Sequence, residues 1–178
     1  MDNQKQQRLQ ERLLPEMEEF KAACQTLMLA TLGADGQPNV SYAPFAQGEQ
    51  GFFIMVSDIA RHGMNLKVNK QLSVMMVQDE ASAKSIYGRK RLTFDVTAEL
   101  IERDTPVFRQ GAAALAQRFG EIADNLAQLA DFNLYCLKPS KGLFVKGFGQ
   151  AFAIGGKDLN SVSWMTGDGK GHGHARSA

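Results

Sequence analysis

The stretch Asp131-Phe-Asn-Leu-Tyr-Cys-Leu-Lys-Pro-Ser-Lys-Gly-Leu-Phe-Val-Lys-Gly-Phe-Gly-Gln-Ala-Phe-Ala-Ile154 decides the architecture. Two alternating runs flank Pro139, Ser140 and Gly142, a pattern that predicts a hairpin of two strands. In the second run Phe144, Phe148 and Phe152 fall on one face with Lys146 and Gln150, while Val145, Gly147, Gly149, Ala151 and Ala153 fall on the other. The second face is almost bare. Glycines weaken a strand interior, so they imply a close approach by a flat ligand or another backbone, or else a bulge or barrel corner.

Working outward, residues 91–100 are the clearest strand. Leu92, Phe94, Val96, Ala98 and Leu100 alternate with Arg91, Thr93, Asp95, Thr97 and Glu99, which specifies one buried and one wet face. Between this strand and the opening stretch, Phe108, Ala112, Leu115, Phe119, Ile122, Leu126 and Leu129 recur in steps of three and four. That spacing predicts one or two packed amphipathic helices with a break at Gly120. Upstream, 26–32, 40–45 and 52–56 are short apolar or alternating runs separated by Ala34-Asp35-Gly36 and by Gln47 to Gly51, an antiparallel meander. Ser57 is positioned to cap a helix over 58–68, a further strand covers 72–77, and 79–86 is a polar connector or a single helical turn. At the start, Leu9, Leu13, Met17 and Phe20 keep helical spacing, with Pro15 predicted to divide the helix into two pieces.

Parallel crossovers need a helix between successive strands, and the first three strands have none. The expected fold is therefore mainly β with flanking helices, a small closed antiparallel barrel of six or seven strands. Its parts are an N-terminal helical segment over 1–22, the barrel over 23–158, and a Gly-rich C-terminal tail over 159–178 that cannot pack by itself.

Composition bounds the function. The chain has 178 residues, enough for a full core in a single folding unit. A net charge of +1, with Arg89-Lys90-Arg91 the only basic run, argues against a nucleic-acid partner. The polar start after Met1 and the lack of any long apolar run predict a cytoplasmic protein without a membrane partner. Cys24 and Cys136 stand apart and read as buried thiols rather than a disulfide or zinc framework.

The sequence holds no G-x-S-x-G, and Gly147-Phe148-Gly149 opens no helix, so hydrolase and dinucleotide-binding readings fall away. A histidine-ligated metal has three candidates, His62, His172 and His174. Arg61, Lys90 and Arg91 lie where helices or strands begin and suit a phosphate or carboxylate, or form a solvated basic edge. Asp131 either ends the long helix or accepts a hydrogen bond at a ligand.

Five separated blocks, in order, resemble a known family: Asn39 to Phe45, Ile59 to His62, Arg89 to Phe94, Arg118 to Glu121, and Gly142 to Ala151. They are similar to the haem-utilisation proteins of the HugZ/HutZ type, within the flavin-binding split-barrel superfamily of pyridoxamine phosphate oxidase. The likeness runs from about Leu9 to Leu159. It implies a homodimer of split barrels that binds haem at the subunit interface, opens the macrocycle to release iron, and draws electrons from an external donor or reductase. It further implies that the iron ligand is a histidine of the tail, here His172 with His174 as the alternative, and that Asp131 of the other subunit sits beside it. Arg61, Lys90 and Arg91 become candidates for the propionates. The same fold with FMN in place of haem, its phosphate on Arg61 or the Arg89-Lys90-Arg91 group, is the alternative, as is haem storage or delivery without turnover.

Overall fold

The alternation of residues 91–100 is realised as a ten-residue strand on which two others lie antiparallel along its length. The computed structural model describes residues 3–165. In chain order the elements are α1 (Asn3–Ala23), β1 (Thr26–Leu32), β2 (Pro38–Gln47), β3 (Phe52–Ser57), α2 (Arg61–Val68), β4 (Gln71–Val77), β5 (Arg91–Leu100), α3 (Pro106–Phe119), α4 (Glu121–Gln128), β6 (Phe132–Gly147), β7 (Gln150–Gly155) and β8 (Ser161–Trp164). The polar connector holds two short 3-10 turns, Glu80–Ser82 and Ile86–Gly88. Strands run β3-β2-β1-β4-β5-β6-β7-β8, and a further pairing of β3 with β6 closes six of them into an antiparallel barrel.

The hairpin expected at Pro139-Ser140 is instead one long strand. Asp95 pairs with Lys141 and Val96 with Pro139, so Ser140 is an extra residue bulged out of the ladder. Here β6 changes partner: it pairs with β3 up to Leu137 and with β7 from Gly142 onward. Pro139 lies in the gap between the two partners, where its missing N–H forfeits no bond on that side. The true hairpin turns at Phe148-Gly149, with Gly149 at φ +67°.

This shift changes the faces read from the sequence. Phe144 and Phe152 are directly paired and both buried, whereas Phe148 is thrown out at the tip, 75% exposed. The glycines are explained locally. Gly149 supplies the left-handed turn, and Gly147 lies against the backbone of Gly88, whose added Cβ would sit 3.6 Å from the Gly147 Cα. Another backbone, rather than a flat ligand, accounts for the bare strand at Gly147.

Pro15 does not divide α1, which runs unbroken. Leu9, Leu13 and Met17 are all buried in the barrel core, and this apolar stripe holds the helix on both sides of the exposed proline. The helix at 58–68 begins only at Arg61, because the Ser57 hydroxyl accepts from the Ile59 N–H in a preceding turn and caps nothing further. The break at Gly120 is real, at φ +76°. Past Leu159 the chain adds β8, with Val162 fully buried and the Trp164 ring packed on Phe152 at 4.3 Å, tilted by 49°.

Inside the barrel Phe45, Phe52 and Phe94 form a chain of ring contacts at 5.6 and 5.7 Å. A second, smaller core lies between α3 and the closing strands, where Phe53, Leu134 and Cys136 meet Phe108 and Leu115.

Candidate functional site

The register of β5 on β6 separates the candidate residues into two groups. Arg91 lies opposite Val145 and Leu100 opposite Tyr135. Ten residues at about 3.3 Å each put the two ends of this ladder roughly 30 Å apart along the strand.

At the hairpin end, a groove of about 360 Å³ is lined by Tyr87, Arg91, Val145, Phe148, Ala151 and Met165 together with the bare backbone of Gly147 and Gly149. Tyr87 is 87% exposed, so two aromatic rings and a methionine stand uncovered around one guanidinium. The guanidinium is half-buried and donates to the Arg89 carbonyl at 3.3 Å, which aims it along the strand edge. Arg89 itself is committed to the Gln78 carbonyl, and the Lys90 backbone N–H donates to the Gln78 side-chain oxygen at 3.1 Å. Lys90 pairs with Glu16 of α1 at 3.1 Å, and Lys146 pairs with the other oxygen of the same carboxylate at 2.5 Å. Burial raises the Glu16 pKa, but the hydrogen bonds and fields of Lys146 and Lys90 more than reverse this and hold it below the ordinary value.

At the far end lies Asp131, exposed in the turn that leads into β6. Its carbonyl accepts from the Asp58 N–H at 2.7 Å, and Asp58 in turn accepts from Asn133 at 2.6 Å and pairs with Lys67 at 2.7 Å. Arg103 clamps the same turn by donating to the carbonyls of Ala127, Leu129 and Phe132. The Asp131 carboxylate is thus presented by a turn fixed on both sides. Arg61 is exposed at the start of α2. His62 beside it shares a 2.9 Å hydrogen bond with the Ser41 hydroxyl, and burial lowers its pKa.

The structure therefore places Lys90 and Arg91 at one end and Arg61 and Asp131 at the other, and one subunit does not gather them around one ligand. His172 and His174 lie outside the described residues. Among the described residues no three His, Cys, Asp or Glu side chains come together as a metal site. Cys136 is buried and Cys24 half-buried, both free, and burial raises both thiol pKa values; the charge of Arg118 opposes this at Cys24.

Sequence reasoning missed Lys146, Glu16, Tyr87 and Phe148. Lys146 sat within the most informative block and on the Phe144 face, but its partner Glu16 is far away in sequence, on α1. Glu16 carried no local signal. The Arg118 block proves structural: its guanidinium donates to the carbonyls of Phe45, Cys24 and Ala22 and stacks 4.9 Å over the Phe45 ring, tying the end of α1 to β2.

A barrel whose sixth strand changes partners at a bulge, with helices outside it, is the split-barrel architecture, and the family described as pyridoxamine 5'-phosphate oxidase matches residues 13–146. The chain belongs to that family. It is 56% identical over 160 residues to the protein named heme oxygenase HutZ of Vibrio cholerae, covering 89% of this chain and 91% of that one. The crystal structure of Vibrio cholerae HutZ, described there as a heme storage protein, superimposes with a TM-score of 0.73 at 55% identity, over 78% of this chain and 97% of that one. Campylobacter jejuni ChuZ superimposes with a TM-score of 0.83 at 34% identity, over 93% of this chain and 67% of that one. No described helix is long and apolar enough to cross a membrane.

Proposed function

We propose that this chain is a haem-binding, haem-degrading oxygenase that opens the porphyrin and releases its iron, working as a cytoplasmic homodimer supplied with electrons by an external donor or reductase. The observation that carries this reading is the split of the site residues between the two ends of β6. Arg91 and the point where the chain leaves toward His172 share one groove, since Met165 lines it and donates to the Ala151 carbonyl at 2.9 Å. His172 lies seven residues beyond Met165 in the sequence, a reach of up to roughly 24 Å when extended, which supports assigning the tail imidazole and Arg91 to one half-site. Asp131, remote in the same subunit, is supplied by the partner. The high identity to a protein named heme oxygenase supports the activity.

A second copy also suits the outer surface. Val40 and Tyr42 are 70% and 62% exposed on one face of β2, and Ile59 in the turn before α2 is 82% exposed, apolar surface that a second copy would cover.

The groove fits a flat macrocycle: its walls are aromatic and aliphatic, nothing lies within 4 Å of a Cβ built on Gly149, and one cation lies among the apolar groups. Haem supplies the iron at which oxygen is activated. His172, or His174, would hold that iron through one ring nitrogen, and Asp131 of the partner subunit would accept a hydrogen bond from the other, fixing the tautomer and making the imidazole a stronger donor. Arg91 offers N–H donors across the groove. Tyr87, Phe148 and Val145 exclude water from the ring faces.

The family match favours a second reading, FMN at the same interface. The Arg89 guanidinium is committed to the Gln78 carbonyl, so the phosphate would fall to Arg61 or Lys90. Haem storage without turnover is the third, in keeping with the description of the crystallised HutZ.

Titration of the protein with haemin, followed by the Soret band, tests these readings in wild type, His172→Ala, His174→Ala and Asp131→Asn. Stoichiometric binding lost in His172→Ala, followed by bleaching of the wild-type complex with ascorbate under air, is the expected result. Binding without bleaching under any reductant would leave storage. Retention of FMN with no haemin binding would replace the haem reading with the flavin one.

A further inference from the structure

On the haem reading just given, we propose that Lys90 and Lys146, bridged by Glu16, form a carboxylate site that takes a propionate of the macrocycle and so fixes its rotation within the groove. Glu16 itself shows what the site accepts. One carboxylate spans two ammonium groups, Oε1 at 3.1 Å from Lys90 and Oε2 at 2.5 Å from Lys146, with all three side chains only a quarter or so exposed. An ammonium has three donors and Glu16 takes one from each, so further donors remain on both. The cavity beside them, about 460 Å³, also receives Lys84 and the hydroxyl-bearing Ser85. Three lysines against one glutamate leave it cationic, so a second carboxylate enters without expelling Glu16.

The cavity adjoins the Arg91 groove. Gly147 and Phe148 line both, and only glycine backbone, Gly147 against Gly88, lies beside them there. A macrocycle lying on Val145 and Phe148 therefore has one edge toward this cavity, whose lining carries Lys90 and Lys146. Apolar ring faces alone leave such a disc free to rotate; an anchored carboxylate selects one orientation and, with it, which bridging carbon faces Arg91. Lys146 and Glu16 are thus positioning residues, acting on the ring's orientation rather than on the iron.

The test compares haemin with its dimethyl ester, which lacks the carboxylate charges, in wild type, Lys146→Met, Lys146→Arg and Glu16→Gln. Loss of one charge-assisted hydrogen bond predicts haemin affinity about tenfold weaker in Lys146→Met, with ester affinity unchanged, a mixture of ring-opened isomers where wild type gives one, and recovery in Lys146→Arg. Glu16→Gln, which frees both ammonium groups, binds haemin at least as tightly as wild type. Equal affinity of wild type for haemin and ester, or a Lys146→Met variant with wild-type affinity and isomer ratio, overturns the assignment while leaving the haem reading intact. A wild-type protein that binds neither compound overturns both.

Discussion

The two halves of β6 make unlike demands on one strand. From Phe132 to Leu137 it is walled by β3 and β5, and Leu134, Tyr135, Cys136 and Leu137 are all buried, so both of its faces are packed. From Gly142 to Gly147 it pairs with β5 and β7, keeps Phe144 inside, and ends at a tip where Phe148 stands in solvent. The bulge at Ser140 is the joint between them. The first half closes the barrel and is held by burial. The second gives up burial and leaves apolar groups, glycine backbone and paired lysines where a ligand can reach them. Barrel closure and the proposed ligand groove are divided along one strand, and substitutions should separate them.

The largest effect belongs to the closed half. Leu134 is fully buried against Phe53 and α3, where a Cβ on Gly111 would already come within 2.7 Å of its side chain. Leu134→Ala removes three carbons from a site that cannot collapse freely, and about 2–5 kcal/mol of unfolding free energy goes with them, read as a lowered urea midpoint. Haemin affinity of the folded fraction stays as in wild type. A Leu134→Ala protein as stable as the parent would show that this half is not the closure the packing makes it.

Next comes the tie between α1 and the open half. Glu16→Gln leaves Lys90 and Lys146 facing each other half-buried without their counter-ion, at a cost of about 1–2 kcal/mol at neutral pH. The folded-state pKa of Glu16 lies below its ordinary 4.5, so its contribution is present above that value and is lost as pH falls through the folded one. The stability gap between wild type and Glu16→Gln should therefore be constant above about pH 5 and shrink below it. A gap that persists unchanged at acid pH would mean that the glutamate acts through packing and not through charge.

The contrast also explains what the amino-acid pattern discloses. Strand β5 is legible because one face is buried and the other wet from Leu92 to Ala98, and the alternation fails only at Leu100, which is 52% exposed instead of buried at the end of the strand. Strand β6 is not, because Pro139, Ser140 and Gly142 are turn residues and bulge residues alike; only the partner change from β3 to β7 tells which. With the turn expected nine residues early, at Pro139-Ser140, Phe148 falls among the core phenylalanines and Lys146 has no visible partner. The same limit applies to the helices. Gly120 ends α3 through its own left-handed backbone, a local event, whereas Pro15 fails to break α1 because Leu9, Leu13 and Met17 are held by strands far away in sequence. Strand β8 carries one fully buried residue, Val162, too little for a pattern. At the site, Arg91 and Asp131 were singled out by residue type and resemblance, but their separation by the length of a strand required the register.

At the tip itself Gly149→Ala tests whether the turn or the ligand dictates the glycine. A side chain at φ +67° costs about 1 kcal/mol of backbone strain, while nothing within 4 Å obstructs the new methyl group. Stability should fall by that amount, measured by thermal unfolding, with the barrel otherwise intact. No change in stability would show that the turn relaxes without difficulty and that the glycine is there for the groove.

Phe148→Ala gives the smallest change in stability and the sharpest division between the halves. The ring is three-quarters exposed and buries almost nothing in one subunit, so its removal shifts the unfolding free energy by no more than about 0.5 kcal/mol. Yet the ring borders both the Arg91 groove and the lysine cavity, and a ligand lying on it would cover its whole face. Losing that contact forfeits about 1–2 kcal/mol of binding, or roughly tenfold in haemin affinity, because burying an aromatic face is worth about 25 cal/mol per Å². A variant as stable as wild type but weaker for haemin places the ligand at the open end of β6. If affinity holds and stability falls, the exposed ring is serving the barrel or the dimer, and the groove at Arg91 is not where the macrocycle sits.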